Sequence, residues 1–387
     1  MKKNPTSFIH RKKVVLPAGN FPLVSPIYQS AKFSETHLRA MEENFANPDE
    51  LHFVYSRIAN PTVRELELNL AHLQGAEDGL AFSSGMAAIS CTLLGLLSPG
   101  DELLMFAHSY VTARQLAKGL LSRMHIKTHL LALDDWAAIE KVLASPNCRV
   151  CLFESPTNPM LRVPDLNRLL ELCKKHKVIS ILDNTFAGID AHSDFLIDLY
   201  VHSLTKFVSG HSDVMGGAVL GSKKKIQQLR ENQILLGATL DPHAAYLLLR
   251  GLDTYRLRRD KACENALLLA QFLEKQKDIN KVYYPGLPSH PEFLLAEKQE
   301  DDFGTVVTVK FREKFDLYKF CDSLKYFKVT ASLGSTKSLV APLELFYARQ
   351  LDDKQRKDCD LLGPGLRISV GIEDIEDLKN DFLLALK

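Results

Sequence analysis

The stretch Tyr200-Val201-His202-Ser203-Leu204-Thr205-Lys206-Phe207 places a lysine where a short apolar run, Ile197 to His202, meets two hydroxyl residues. A lysine in that setting is poorly solvated, and a partly buried ammonium readily loses its proton to become a nucleophilic amine. Such an amine suits a Schiff base with a carbonyl cofactor. Lys206 is the candidate, and the chain must then supply the other contacts of that cofactor.

Pyridoxal phosphate makes demands that the chain can meet. Its ring nitrogen needs a carboxylate if the ring is to act as an electron sink, and Asp183, in Asp183-Asn184-Thr185-Phe186, follows the apolar run Val178 to Leu182. A strand-end aspartate also serves simply to start a turn or cap a helix. The phosphate needs amides at a helix start with little side-chain bulk, as in Ser84-Gly85-Met86, while Ser203 and Thr205 add hydroxyls beside the lysine. Tyr55 and Arg57, in Tyr55-Ser56-Arg57, offer a phenol and a guanidinium from a neighbouring subunit. Tyr110 follows the strand Leu103 to Phe106 and can stack on a planar ring. With Lys206 it forms the candidate catalytic pair. Asn158, in Glu154-Ser155-Pro156-Thr157-Asn158-Pro159, can hydrogen-bond the ring's phenolic oxygen. An amino-acid substrate adds a carboxylate, best held by a bidentate arginine. Arg367 stands inside the β-branched run Leu366 to Val370, where an unused charge would be costly.

The elements that must position these residues alternate. Asn60-Pro61-Thr62 predicts a helix start and Gly75 its end, with Val63, Leu66, Leu70 and Leu73 at helical spacing. Short apolar strands at Leu80–Phe82, Leu103–Phe106, Arg149–Phe153, Val178–Leu182 and Ile197–His202 are separated by helical stretches. That alternation predicts an α/β large domain with a mostly parallel sheet covered on both faces, and ligands beyond the strands' carboxyl ends. The expected division is an arm over residues 1–55, a cofactor-binding domain over 56–250, and a smaller α+β domain over 251–387. In the last, strands are expected at Thr305–Phe311, Phe327–Thr330 and Leu366–Val370.

Composition bounds the rest. The 387 residues are 46% hydrophobic and 25% charged with a net charge of +1, ordinary for a soluble protein and no argument for a nucleic-acid or membrane partner. Seven scattered cysteines suit reduced thiols in a cytoplasm. Cys148-Arg149-Val150-Cys151 is a CxxC without a second pair, and His125 and His129 lack the glutamate of a zinc helix. No metal site is expected.

Taken together, Tyr55-Ser56-Arg57 with Asn60-Pro61-Thr62, Ser83-Ser84-Gly85-Met86, Glu154 to Pro159, Asp183 to Phe186, Ser203-Leu204-Thr205-Lys206 and His211-Ser212-Asp213-Val214 resemble the trans-sulfuration, or Cys/Met metabolism, family of pyridoxal phosphate enzymes. Arg250-Gly251-Leu252, Tyr284 to Leu287, Ser332-Leu333-Gly334 and Arg367 to Gly371 extend the resemblance through the second domain. The resemblance implies the fold-type I (aspartate-aminotransferase-like) architecture and a homotetramer built from catalytic dimers. It implies Tyr55 and Arg57 on the neighbour's phosphate, and Gly85, Met86, Ser203 and Thr205 on their own. It further implies Asp183 at the ring nitrogen, Tyr110 on the ring, and Ser332, Arg367 and Asn158 at the substrate. The expected activity is a carbon–sulfur lyase on cystathionine or a related sulfur amino acid, by β- or γ-elimination. Cystathionine γ-synthase or O-acyl-homoserine sulfhydrylase chemistry is the alternative. Two departures bear on the substrate: Tyr110 is followed by Val111-Thr112-Ala113-Arg114 instead of a glycine pair, and Ala331 replaces an acidic or aromatic residue before Ser332.

Overall fold

Asn60 and Pro61 do open the first long helix, Pro61–Gln74. Asn60 stays extended and its Oδ1 accepts from the amides of Thr62 (2.9 Å) and Val63 (3.4 Å), while the proline removes an N–H that would have had no partner. Gly75 ends the helix at φ 73°, a left-handed conformation suited to glycine. Leu66 and Leu70 are fully buried and hold this helix against the sheet. The computed structural model describes residues 19–46, 52–348 and 351–387.

Seven strands form the larger sheet: β1 (Asp78–Phe82), β2 (Glu102–Phe106), β3 (Lys127–Leu131), β4 (Cys148–Glu154), β5 (Ile179–Asp183), β6 (Leu199–His202) and β7 (Gly217–Gly221), in the order β1-β7-β6-β5-β4-β2-β3. All neighbours run parallel except β7, which is antiparallel to both β1 and β6. Period-two alternation sends Leu103, Met105, Val150, Leu152 and Ile181 into one core, and Leu104, Phe106, Cys151, Phe153 and Leu182 into the other. Burial on both faces explains why these strands read as continuous apolar runs.

The second sheet comprises β8 (Ile279–Tyr283), β9 (Val306–Phe311), β10 (Lys328–Val329), β11 (Leu339–Pro342) and β12 (Gly365–Ser369), in the order β10-β11-β12-β9-β8. It is antiparallel apart from the β10–β11 pair. Its core is aromatic: Phe320 sits 5.3 Å from Phe311 and 4.7 Å from Phe382, between ring centroids.

Some elements differ from the sequence reading. The helix Leu38–Ala46 lies within the stretch read as an extended arm. It is short, and its neighbours' prolines and polar residues mask the spacing of Leu38, Met41 and Phe45. The rest of that stretch in part, residues 1–18 and 47–51, lies outside the described residues. Strands β7, β8 and β11 were not expected: β7 reads Gly-Ala-Val-Leu-Gly, and its terminal glycines suggest a turn until β1 and β6 flank it.

Candidate active site

The carboxyl ends of β4, β5 and β6 lie side by side, with Glu154 in register with Asp183 and Asp183 with Val201. A cavity of about 330 Å³ opens over them. It is lined by Ser84, Gly85, Met86, Tyr110, Asn158, Asp183, Ser203, Thr205, Lys206 and Arg367, so the fold brings ten of the expected site residues to one place. Ser332 joins them through its hydroxyl, which accepts from Lys206 Nζ at 3.1 Å.

Lys206 is largely buried, and burial together with the Arg367 guanidinium holds its ammonium below the ordinary lysine range. Deprotonation is thereby made easier, as a nucleophile or base requires. Asp183 Oδ1 accepts from the Thr185 amide (3.2 Å) and hydroxyl (2.6 Å). Burial raises its pKa, the hydrogen bonds to Thr185 oppose the rise, and no cation among the described residues forms an ion pair with it. A cationic ring nitrogen would supply that missing partner.

The helix Gly85–Leu96 begins at the cavity wall. Ser84 Oγ accepts from Ala87 N and Ser84 O from Ala88 N, which leaves the Gly85 and Met86 amides without acceptors inside the helix. A Cβ on Gly85 would lie 2.9 Å from Ser203 Cβ, so only glycine lets these two elements approach. Those two amides, beside the Ser203 hydroxyl, suit a phosphate. Thr205 is less free than its sequence position suggests, since its hydroxyl is bonded to the Gly216 carbonyl (3.2 Å) and amide (3.1 Å).

Arg367 sits within β12 and is fully buried, yet it makes no ion pair among the described residues. Its Nη1 donates to Asn158 Oδ1 (3.0 Å) and its Nη2 to the Ser332 carbonyl (2.6 Å), while Nε is buried without a partner. Burial depresses its pKa, offset by the Tyr347 and Tyr110 phenols. A buried guanidinium with one donor unmet has the chemistry to accept a carboxylate. Because Asn158 Oδ1 faces Arg367, Asn158 Nδ2 remains as a donor towards the cavity.

Tyr55 and Arg57 stand apart from this cavity. Arg57 Nη1 donates to the Ile234 carbonyl at 3.0 Å, and its guanidinium lies 5.6 Å from the centre of the Tyr55 ring. Several lining residues carry no site role in the sequence reading: Glu154, Thr185, Phe186 and Leu333, which it names only within motifs, and Met215 and Tyr347. Thr185 could have been found from its place two residues after Asp183, the spacing of an Asx turn. Tyr347 had no local signal; its ring covers the Arg367 guanidinium at 4.9 Å only once β11 and β12 pair. Cys148 and Cys151 are buried free thiols inside the sheet, and His129 pairs with Glu102 at 3.0 Å. No group of metal-ligating side chains occurs among the described residues.

The sequence matches the profile of the Cys/Met metabolism PLP-dependent enzymes over residues 6–387. The chain belongs to this family. It is a pyridoxal phosphate-dependent enzyme with the fold of the trans-sulfuration enzymes. It is 35% identical to L-methionine gamma-lyase of Pseudomonas putida over 94% of this chain and 92% of the relative. Cystathionine beta-lyase of Coxiella burnetii is 32% identical, with both chains covered in full. The crystal structure of cystathionine gamma synthase from Xanthomonas oryzae pv. oryzae in complex with cystathionine aligns with a TM-score of 0.88 at 34% identity. That alignment covers 94% of this chain and 92% of the other. These relatives span γ-elimination, β-elimination and γ-replacement. Membership therefore fixes cofactor and reaction family.

Proposed function

We propose that this enzyme is a carbon–sulfur lyase that cleaves cystathionine or a related sulfur amino acid. The observation that carries the reading is the buried Arg367, with no carboxylate partner among the described residues, beside Lys206, Ser332 and a largely apolar wall of Phe186, Met215, Ala331, Leu333 and Tyr347. The cation suits an amino-acid carboxylate, and the wall suits the apolar thioether stretch of the side chain.

Pyridoxal phosphate, when bound, supplies a carbonyl for the substrate amine and an electron sink for charge at Cα. Asp183 would hold the ring nitrogen, and the Gly85 and Met86 amides with the Ser203 hydroxyl would hold the phosphate, with Thr205 contributing where its hydroxyl turns from Gly216. Tyr110 would stack on the ring, and Asn158 would donate to the phenolic oxygen. Arg367, Asn158 and Ser332 orient the substrate. Lys206 takes the Cα proton, and Ser332 Oγ, 3.1 Å from Nζ, keeps that amine at the reacting face. In γ chemistry Lys206 must move a second proton, from Cβ.

Tyr55 and Arg57 serve a neighbour's phosphate in a homotetramer of catalytic dimers. Their distance from their own cavity and the exposed Phe21, Leu23 and Val24 of the arm support this. We place the enzyme in the cytoplasm, in keeping with cysteines that form no disulfide among the described residues. Among the described residues, no helix is long and apolar enough to cross a membrane. A division near residue 250 is supported by the cores. Ala245 and Leu248 join the cluster under the larger sheet, while Ala266, Leu269 and Leu273 join the one under the smaller.

Incubation with L-cystathionine tests the reading. Pyruvate, ammonia and homocysteine signify β-cleavage; 2-oxobutyrate, ammonia and cysteine signify γ-cleavage. Neither product set, with turnover of an activated homoserine ester and a thiol, would replace the lyase by a γ-synthase or sulfhydrylase.

A further inference from the structure

Glu154 is a buried acid at the end of β4 that the chemistry above does not use. Its two oxygens are divided between two loops. Oε1 accepts from the Tyr110 amide at 2.5 Å, and Oε2 accepts from the Asn158 amide at 3.1 Å. Tyr110 follows β2, whereas Asn158 follows β4 and passes the constraint on through Oδ1 to Arg367 Nη1 at 3.0 Å. One carboxylate thus ties together the ring-stacking phenol, the donor to the ring oxygen and the arginine for the substrate carboxylate. Burial and the adjacent Asp183 carboxyl raise the Glu154 pKa well above the ordinary glutamate range, and the two amide donors offset that rise only in part.

We propose that Glu154 is a positioning residue: its carboxylate sets the placement of Tyr110 relative to the Asn158–Arg367 pair, and so of the cofactor ring relative to the substrate's carboxylate. This rests on the cofactor reading of the cavity. Two acceptor oxygens are required because both donors are backbone N–H groups that cannot be exchanged for acceptors. Glutamine of the same shape presents one oxygen and one NH₂, so one of the two loops must face a donor with a donor. An unmet buried donor disturbs a site on a scale that corresponds to roughly ten- to a hundredfold in rate.

The test compares wild type with Glu154→Gln, each reconstituted with pyridoxal phosphate. Glu154→Gln is expected to bind the cofactor with its visible band intact. The circular dichroism of that band per bound cofactor should change, and kcat/KM should fall about ten- to a hundredfold. In a Tyr110→Ala background, where there is no ring to place, the same substitution should cost much less, because residues acting through one another are non-additive. Should Glu154→Gln fail to fold, Glu154→Asp keeps two acceptor oxygens on a shorter stem. It is expected to bind cofactor with the same altered dichroism and a smaller loss of rate. Unchanged dichroism in whichever variant folds, or an equal loss in both backgrounds, overturns the proposal. A wild-type protein that takes up no cofactor would instead refute the reading beneath it, before Glu154 is considered.

Discussion

Arg367 is the residue whose environment is hardest to explain without a ligand. A fully buried guanidinium that lacks an acidic partner is strongly penalised, and here its Nε is also unmet. A substrate carboxylate would relieve that penalty. Arg367→Lys keeps the charge but loses the planar fork. It is expected to raise KM for the amino acid about ten- to a hundredfold while moving kcat less; steady-state kinetics that show an unchanged KM would remove Arg367 from the substrate site. At this scale much was legible. Lys206 and Arg367 stand out because a charged residue at the end of, or within, an apolar strand is costly unless it is used, whereas Asp183, which a turn or helix cap would explain as well, stands out only beside them. Glu154 and Tyr347 did not, since what matters about them is a partner far away in the chain: Tyr110 for the first, Arg367 for the second.

Among the elements, the junction of β6, β7 and the helix Gly85–Leu96 matters most. A Cβ on Gly217 would lie 2.2 Å from the Ser84 carbonyl, and one on Gly85 would lie 2.9 Å from Ser203 Cβ. The helix start can therefore meet β7 and the segment that follows β6 towards Lys206 only through glycines. Gly85→Ala should push the two free amides off the phosphate position and weaken cofactor binding at least about tenfold, equivalent to ~1.4 kcal/mol. A cofactor titration that shows unaltered affinity would place the phosphate elsewhere. Helix ends and buried parallel strands could be read ahead of the structure, because caps and apolar runs are local signals. Strands β7 and β11 could not. They are short, bounded by glycine or ending in proline, and exist because of the strands on either side.

For the whole molecule, subunit pairing and pH are the open levers. If Arg57 completes a neighbour's site, Arg57→Ala and Lys206→Ala are each inactive alone. Reassembly of an equal mixture should restore about a quarter of wild-type activity, because half of the dimers are mixed and each holds one intact site. Restoration of nothing would return Arg57 to its own chain. Burial depresses the His108 imidazole to about 4 and, with the nearby His192 ring adding to the effect, His202 to about 3. The unfolded chain protonates both near pH ~6.5, where the native state does not. Stability must therefore be lost as pH falls from about 6.5 towards 4. His202→Gln, which can still donate to Gln74 Oε1, should flatten the acid side of the Tm profile. An unflattened profile would mean that the native state accepts the proton.

The central claim is that Lys206 carries the cofactor, and reduction tests it most directly. Purified protein supplied with pyridoxal phosphate is reduced with borohydride, digested and examined by peptide mass spectrometry. The account predicts a phosphopyridoxyl adduct on the peptide that contains Lys206. An adduct confined to another lysine, or none in protein that has bound the cofactor, would contradict it.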